Sequence, residues 1–240
     1  TEKGAVNKIL MPTLFIAFCY GVLMTGSRGT ILGVLGVVFI YYFFKKAGAK
    51  LILFGLLMAP IAATLISKFG GMSAASDDSA NGRLEAWYAG IQMLLSNPVF
   101  GVGKGSFMDH HNLVAHNSYI HVAGEMGVTG YSLWGGMIIL TMLAAYRIHK
   151  EFSHWGAADI TQETKELYAA ELKINQAMFY SMIGFMITAF FLSRQFTLLL
   201  FIFLGMLTAS HLRLIKIRPE LKDELFNGKT VFKCMGYSWI

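Results

Sequence analysis

Six apolar runs, each close to the length that crosses a bilayer, constrain the fold of this chain more than any other feature. A transmembrane helix needs about 20 mostly apolar residues, and only helices and closed barrels keep every backbone hydrogen bond paired inside hydrocarbon. The runs cover residues 9–25, 31–44, 51–66, 126–146, 177–192 and 196–212. We therefore predict an all-α, polytopic transmembrane helix bundle with about six spans.

The composition agrees with a membrane protein. Of the 240 residues, 55% are hydrophobic and 14% are charged, whereas soluble domains carry about 25% charged residues. The two cysteines, Cys19 and Cys234, are too few for a disulfide framework. The sequence starts at Thr1 without a methionine or a signal-peptide pattern, and we expect it to begin inside a longer protein.

The distribution of basic residues predicts the orientation of the chain. With six alternating spans and a cytoplasmic N-terminus, 15 of the 20 Lys and Arg lie on the cytoplasmic side, in agreement with the positive-inside rule. The chain then consists of an integral membrane domain over 1–212 and a basic cytoplasmic tail over 213–240. The net charge of +6 is mostly an orientation signal and an attraction to anionic lipid, not a nucleic-acid footprint.

The same topology leaves one large external loop, residues 67–118. Its stretch 73–82 is small and polar, which predicts a flexible segment. Apolar residues then recur at helical spacing until Pro98. This spacing predicts an amphipathic helix that lies on the outer membrane surface, with Trp87 and Tyr88 at the interface.

Two kinds of site are disfavoured in this loop. The glycine-rich segment 97–107 has neither the Walker spacing nor a complete dinucleotide fingerprint, and is interpreted as a tight turn back towards the membrane. His110 and His111 show no metal-ligand spacing, and Asp77 and Asp78 have no supporting ligands nearby. We therefore predict no metal and no cofactor.

Three arginines, Arg28, Arg83 and Arg194, fall on the predicted external face. An arginine next to an apolar run is costly in the hydrocarbon and is usually functional, and its guanidinium fork matches phosphate oxygens. Arg28 and Arg83 are therefore candidate ligands of an anion. The alternatives are a loop arginine bound to lipid phosphate for Arg28 and a solvated charge in a first helical turn for Arg83.

His116 is the candidate proton acceptor. It stands at the head of the helix that follows the external loop, and histidine accepts protons near neutral pH. Asn117, His121 and Glu125 follow at intervals of four residues and share one helix face. That face could support the site, or it could be a hydrogen-bonded polar stripe between helices.

The ordered motifs resemble the O-antigen ligase and polymerase superfamily of bacterial envelopes. The resemblance covers about residues 28–130, and each motif alone is short. The matching residues are Ser27, Arg28, Gly29, Arg83, Trp87, Asn97, Pro98, Gly101, Gly103, Gly105, Phe107, Ala115, His116, Asn117, Tyr119, Glu125, Gly127 and Gly130.

This resemblance implies a metal-independent, inverting glycosyltransferase that uses a polyprenyl-pyrophosphate-linked glycan at the periplasmic face of the bacterial inner membrane. It implies that Arg28 and Arg83 hold the pyrophosphate and that His116 activates the acceptor hydroxyl. Supporting roles are expected for Asn117, His121, Glu125 and Arg194. The chain has fewer helices than the family pattern.

Lipid A core is the acceptor that we expect first. A growing glycan (in an O-antigen or exopolysaccharide polymerase) or a protein hydroxyl (in a protein O-oligosaccharyltransferase) would use the same site. Two functions of other classes are a transporter or flippase for lipid-linked glycans and a scaffold for envelope assembly. A transporter is expected to carry inverted repeats and charges at mid-membrane depth, and neither is evident in the sequence.

Overall fold

A computed structural model of the chain describes residues 2–25, 28–45, 74–152, 161–217, 219 and 221–240. Within these ranges the secondary structure is helical and contains no strand, which confirms the predicted all-α class. The helices are α1 (Glu2–Met24), α2 (Arg28–Lys45), α3 (Ala74–Ser96), α4 (Phe107–His110), α5 (Ser118–Phe152), α6 (Gln162–Ala189), α7 (Leu198–Ile217), α8 (Leu221–Leu225) and α9 (Gly228–Tyr237).

The chain divides into two compact units, Thr1–Ala80 and Asn81–Ile240, and the boundary falls inside α3. In the first unit, α1 and α2 form where the first two apolar runs were predicted. Most of the apolar side chains of α1 are exposed. The predicted span 51–66 lies outside the described residues.

In the second unit, two helical segments are long and apolar enough to cross a membrane, namely Ser118–Lys150 in α5 and Leu198–Ile217 in α7. A span needs about 20 apolar residues, and α6 begins with a charged stretch, so that only its second half is apolar. Within the described residues the structure therefore supports two of the predicted six spans, and the number six stays a prediction.

Helices α5, α6 and α7 pack together around two hydrophobic clusters. The first cluster includes Val122, Trp134, Ile138, Met182, Leu200, Leu204 and Leu207. The second includes Ala144, Ile148, Tyr168, Leu172, Leu214 and Leu221. A bidentate ion pair, with both oxygens of Glu171 accepting from Arg213 at 2.9 and 2.7 Å, joins α6 to α7.

The C-terminal residues fold back onto α5. Asn227 caps α9, because its Oδ1 accepts a hydrogen bond from the Thr230 N–H at 2.8 Å. At the other end of α9, the Trp239 indole donates to Ser132 Oγ at 2.8 Å and its ring lies 4.4 Å from that of Tyr131. The end of the predicted basic tail is thus packed against a candidate span, while its cytoplasmic location stays a prediction.

Helix α3 starts earlier than predicted. The stretch 73–82 was expected to be flexible, which is wrong for 74–82, since α3 begins at Ala74. Alanine has the highest helix propensity, and three alanines lie at positions 74, 75 and 80. Negative charge near a helix N-terminus is favourable, and Asp77 and Asp78 fall within the first two turns.

Candidate functional site

Helix α5 is interrupted at Gly127, and the glycine-rich segment pairs with the interruption. Gly127 has φ 61° and ψ −167°, which is not helical. In a regular helix the N–H groups of residues 128 and 129 would bond to the carbonyls of residues 124 and 125. Instead, four hydrogen bonds join the segment to the interruption: Val128 N–H to Pro98 O (2.7 Å), Thr129 N–H to Val99 O (3.2 Å), Val102 N–H to Gly124 O (3.0 Å) and Gly103 N–H to Glu125 O (2.9 Å).

These four backbone groups of α5 are therefore satisfied by the segment, as buried backbone requires. The contact is so close that glycine is needed on both sides. A Cβ on Gly101 would lie 2.4 Å from the carbonyl carbon of Glu125, and one on Gly127 would lie 2.5 Å from the Gly101 nitrogen. The segment turns tightly, as predicted, but its pairing with α5 was not foreseen.

A buried pair, His121 and Glu125, stands where the segment meets α5. Glu125 is only 2% exposed, and its Oε1 accepts from the Phe107 N–H at 3.1 Å and lies 3.1 Å from His121 Nε2. The other ring nitrogen, His121 Nδ1, lies 3.1 Å from Ser193 Oγ. The His121 ring also stacks on Phe107 with 4.6 Å between centroids. The pair thus links the loop, α5 and the turn after α6.

Asn117 does not join this pair. Its Oδ1 accepts from the N–H groups of Tyr119 (3.0 Å) and Ile120 (3.3 Å), so it caps α5. Of the predicted polar face, His121 and Glu125 meet each other, and Asn117 sets the start of the helix. The sequence left open whether this face supports a catalytic site or forms a hydrogen-bonded polar stripe between helices. The contact of His121 with Ser193 is of the second kind.

His116 is held in an unusual backbone conformation directly before this cap. Its φ is +49°, and it is the one non-glycine residue with positive φ among the described residues. Strained backbone of this kind costs energy and persists where the surroundings enforce it. Trp87 provides one such restraint, because its indole N–H donates to the Ala115 carbonyl at 2.7 Å.

Arg83 influences His116 electrostatically. Partial burial lowers the pKa of His116 below its usual 6.5, and the positive charge of Arg83 lowers it further. Both effects disfavour the imidazolium form. The imidazole is therefore neutral at neutral pH, which is the form that can accept a proton. Arg83 lies one helical turn before Trp87 in α3. The same helix therefore provides the residue that lowers the pKa of His116 and the residue that restrains the backbone next to it.

Arg194 lies in a turn that is tied to the start of α5. The hydroxyl of Ser118 donates to the Leu192 carbonyl at 2.6 Å and accepts from the Arg194 N–H at 2.8 Å. The Arg194 side chain is exposed. Sequence reasoning missed Ser118 and Ser193, since serines carry no periodic or charge signal and their partners are distant in the chain.

Arg28 is the first residue of α2 and belongs to the first unit. Its predicted meeting with Arg83 and His116 stays a prediction. In the part of the chain that the structure describes, no group of three His, Cys, Asp or Glu side chains is arranged to hold a metal ion.

Helix α3 shows two different apolar faces. Leu84, Tyr88, Ile91 and Leu95 are exposed and recur at intervals of three or four residues, so they form one stripe. Met93 points the other way and packs with Phe107 and Ala115. Trp87 packs edge-on against Phe190, with 5.5 Å between centroids. The exposed stripe is the feature expected of a helix on a membrane surface.

A protein-family model described as O-antigen ligase matches residues 13–135 of the chain. The matched range includes Arg28, Arg83, the glycine-rich segment, His116 and the interruption at Gly127. No curated protein matches the chain, and no solved structure matches it.

Proposed function

The chain belongs to the O-antigen ligase family, and from this membership we propose that it is an inverting glycosyltransferase that moves a glycan from polyprenyl pyrophosphate to an acceptor hydroxyl. The family consists of integral membrane ligases and polymerases with a lipid-linked glycan donor and a lipid acceptor. The candidate spans in α5 and α7 fit that setting. Beyond this general level, the donor, the acceptor, the periplasmic face of the inner membrane and the residue roles are our proposal.

The observation that carries the proposal is the state of His116. Its backbone is held in a strained conformation and its pKa is lowered by burial and by Arg83. In the proposed reaction the acceptor oxygen attacks the anomeric carbon from the side opposite the pyrophosphate. The acceptor proton passes to the neutral imidazole, the anomeric C–O bond breaks, and polyprenyl pyrophosphate leaves with the electron pair.

Arg83 has a second role in this mechanism. Negative charge builds on the pyrophosphate as the C–O bond breaks, and a fixed guanidinium stabilises it most effectively where water is scarce. Arg28 is proposed as the second phosphate ligand, on the basis of its motif. His121 and Glu125 are proposed to support the site by fixing the loop through Phe107, Asn117 by capping α5, and Arg194 as a further external cation.

Lipid A core remains the first acceptor in this proposal. A polymerase or a protein O-oligosaccharyltransferase would share the base and the phosphate ligands, and would differ only in the acceptor. The discriminating measurement is product analysis with the three acceptors offered separately to the same preparation. A flippase or a scaffold, in contrast, would release no polyprenyl pyrophosphate with any of them.

The test uses the full chain in liposomes with a polyprenyl-pyrophosphate glycan and an acceptor. We expect His116→Ala to lower kcat by about 10²- to 10⁴-fold, the usual contribution of a general base, while membrane insertion is unchanged. The matched control is His149→Ala, an exposed histidine near the other end of α5. A full rate of polyprenyl pyrophosphate release by His116→Ala would refute the assignment of the base.

A further inference from the structure

Helix α3 has a third face, which lies between the exposed apolar stripe and the buried side and extends to Met93 on the latter. This face borders a cleft of ≈ 250 Å³ between α3, the glycine-rich segment and α4. The cleft has a polar part, formed by Gln92, Ser96, Asn97 and His110, and an apolar part, formed by Ala89, Met93 and Val102. All of these residues belong to the second unit.

The chemistry of the cleft selects one class of ligand. Amide, hydroxyl and imidazole groups offer both donors and acceptors of hydrogen bonds, and no described lining residue is a carboxylate, a lysine or an arginine. Such a lining favours a neutral, hydroxyl-rich ligand over a phosphate. The apolar part can contact the C–H face of a pyranose while the polar part binds its hydroxyls.

The size of the cleft limits the ligand to a single ring. Sites for drug-sized ligands usually measure about 300–1,000 Å³, and this cleft lies just below that range. A nucleotide or an oligosaccharide would extend beyond it. A glycan could nevertheless place one of its sugars in the cleft while the rest of the chain continues outside.

The cleft is separate from the proposed reaction centre. Gln92 follows Arg83 by nine residues, which at 100° per residue places the two side chains on opposite faces of α3, about 13 Å apart along its axis. A ring in the cleft is therefore not the sugar attached to the pyrophosphate. Gln92 and Ser96 are exposed and lie beside the apolar stripe rather than within it, so the cleft opens to water.

The walls of the cleft are fixed by the same contacts that build the site. Val102 donates its N–H to the Gly124 carbonyl at the interruption of α5. Met93 packs in one cluster with Phe107 and Ala115, the residue before His116. A sugar bound here would therefore be held at a constant distance from His116.

We propose that this cleft is a subsite for one neutral pyranose of a glycan substrate, at a position remote from the bond that reacts. The proposal rests on the proposed function, because it assumes that the chain handles glycans. Such remote binding fixes the direction in which the glycan leaves the reaction centre and adds to substrate affinity without taking part in chemistry.

The first experiment measures binding without transfer. A panel of methyl pyranosides (glucoside, galactoside, mannoside, N-acetylglucosaminide and rhamnoside) is offered to the full chain in nanodiscs, with saturation-transfer NMR as readout. We expect at least one to bind with Kd on the order of 1 mM, and Ala89→Phe, which fills the apolar part of the cleft, to abolish that signal. Absence of binding to the unsubstituted chain by the whole panel would overturn the subsite.

The second experiment measures glycan transfer by the variant Gln92→Ala. The control is Glu85→Ala, which shortens an exposed side chain two turns earlier in α3. In Gln92→Ala, the loss of one hydrogen bond should raise KM for a glycan-bearing substrate about 5- to 10-fold and leave kcat unchanged. In the control, both KM and kcat should be unchanged. Unchanged KM in an active Gln92→Ala enzyme would also overturn the subsite. Pyranoside binding by a chain that never transfers a glycan would instead refute the proposed function and leave the subsite standing.

Discussion

At the scale of single residues, the pairing of a strained histidine with an arginine gives the site its pH dependence. Both burial and Arg83 lower the pKa of His116, and burial is the larger cause. A base works when it is deprotonated, so activity should fall only when the pH drops below that lowered pKa. The acid limb of kcat/KM is therefore expected below 6.5, and the rate should be constant from that limb to neutral pH.

Replacement of Arg83 separates the two causes. In Arg83→Gln the coulombic effect is gone, so the pKa of His116 should rise towards 6.5, yet stay below it because burial remains. NMR titration of the imidazole measures the pKa of His116 directly. A pH profile of activity would not isolate this effect, because Arg83→Gln is also expected to weaken donor binding. A His116 pKa that does not move in Arg83→Gln would contradict the electrostatic contact.

Some residue-scale features could be predicted from the sequence, and others could not. The contact of His121 with Glu125 follows from a spacing of four on a helix, which is local information. The positive φ of His116 could not be predicted from its sequence neighbours, because most histidines have negative φ. It arises from restraints distant in sequence, such as the bond from Trp87 to the carbonyl of Ala115.

At the scale of elements, the interrupted helix and the glycine-rich segment behave as one structural unit. Gly101 and Gly105 both have positive φ, but a Cβ would meet the α5 backbone only at Gly101 and nothing within 4 Å at Gly105. Gly105→Ala should cost only the backbone strain, about 1–2 kcal/mol. Gly101→Ala should cost a further 1–3 kcal/mol or more, the usual range for overpacking.

Thermal unfolding in detergent and hydrogen exchange of residues 98–107 test this difference. Gly101→Ala should lower Tm several degrees more than Gly105→Ala, and should increase amide exchange at Val102 and Gly103, whose N–H groups bond to α5. Equal effects of the two substitutions would mean that backbone strain alone, and not the close approach, makes glycine necessary in the segment.

The elements also show where periodicity succeeds as a predictor. The apolar run at 126–146 is helical except at Gly127, and the run at 196–212 is helical from Leu198 onward, because a long apolar stretch favours a helix through local composition alone. Helix α3 was predicted to start too late, since the small polar residues of 73–82 resemble a loop although they include three good helix formers. The interruption at Gly127 depends on a partner segment some 25 residues earlier in the chain.

At the scale of the whole molecule, the described C-terminal residues are part of the helical packing. The basic tail was predicted from charge alone, and charge says nothing about what the intervening small and apolar residues contact. Gly135 and Gly136 leave room for α9 on α5, where the backbone of Met235 and the Cβ of Ser238 approach them closely. Cys234 is only 1% exposed as a result.

This docking makes Cys234 a reporter of the fold. A side chain at Gly136 would place its Cβ 2.8 Å from Met235 Cγ and 3.0 Å from its Cα, so Gly136→Leu should force α9 away from α5. Burial also raises the pKa of the Cys234 thiol, and release would lower it again. Both changes increase the concentration of accessible thiolate, which is the species that reacts.

We expect maleimide to label Cys234 several-fold faster in Gly136→Leu than in the parent, both in a Cys19→Ser background, because release exposes the thiol and lowers its pKa. Gly205→Leu is the matched control, because that glycine is exposed on α7 and its Cβ would meet nothing within 4 Å. Equally fast labelling of the parent and of both leucine variants would show that α9 leaves α5 readily in the membrane, whereas equally slow labelling would show that Gly136→Leu does not displace it. In fast labelling of all three, residues 228–240 would behave as part of the separate basic tail, 213–240, that the charge pattern predicts.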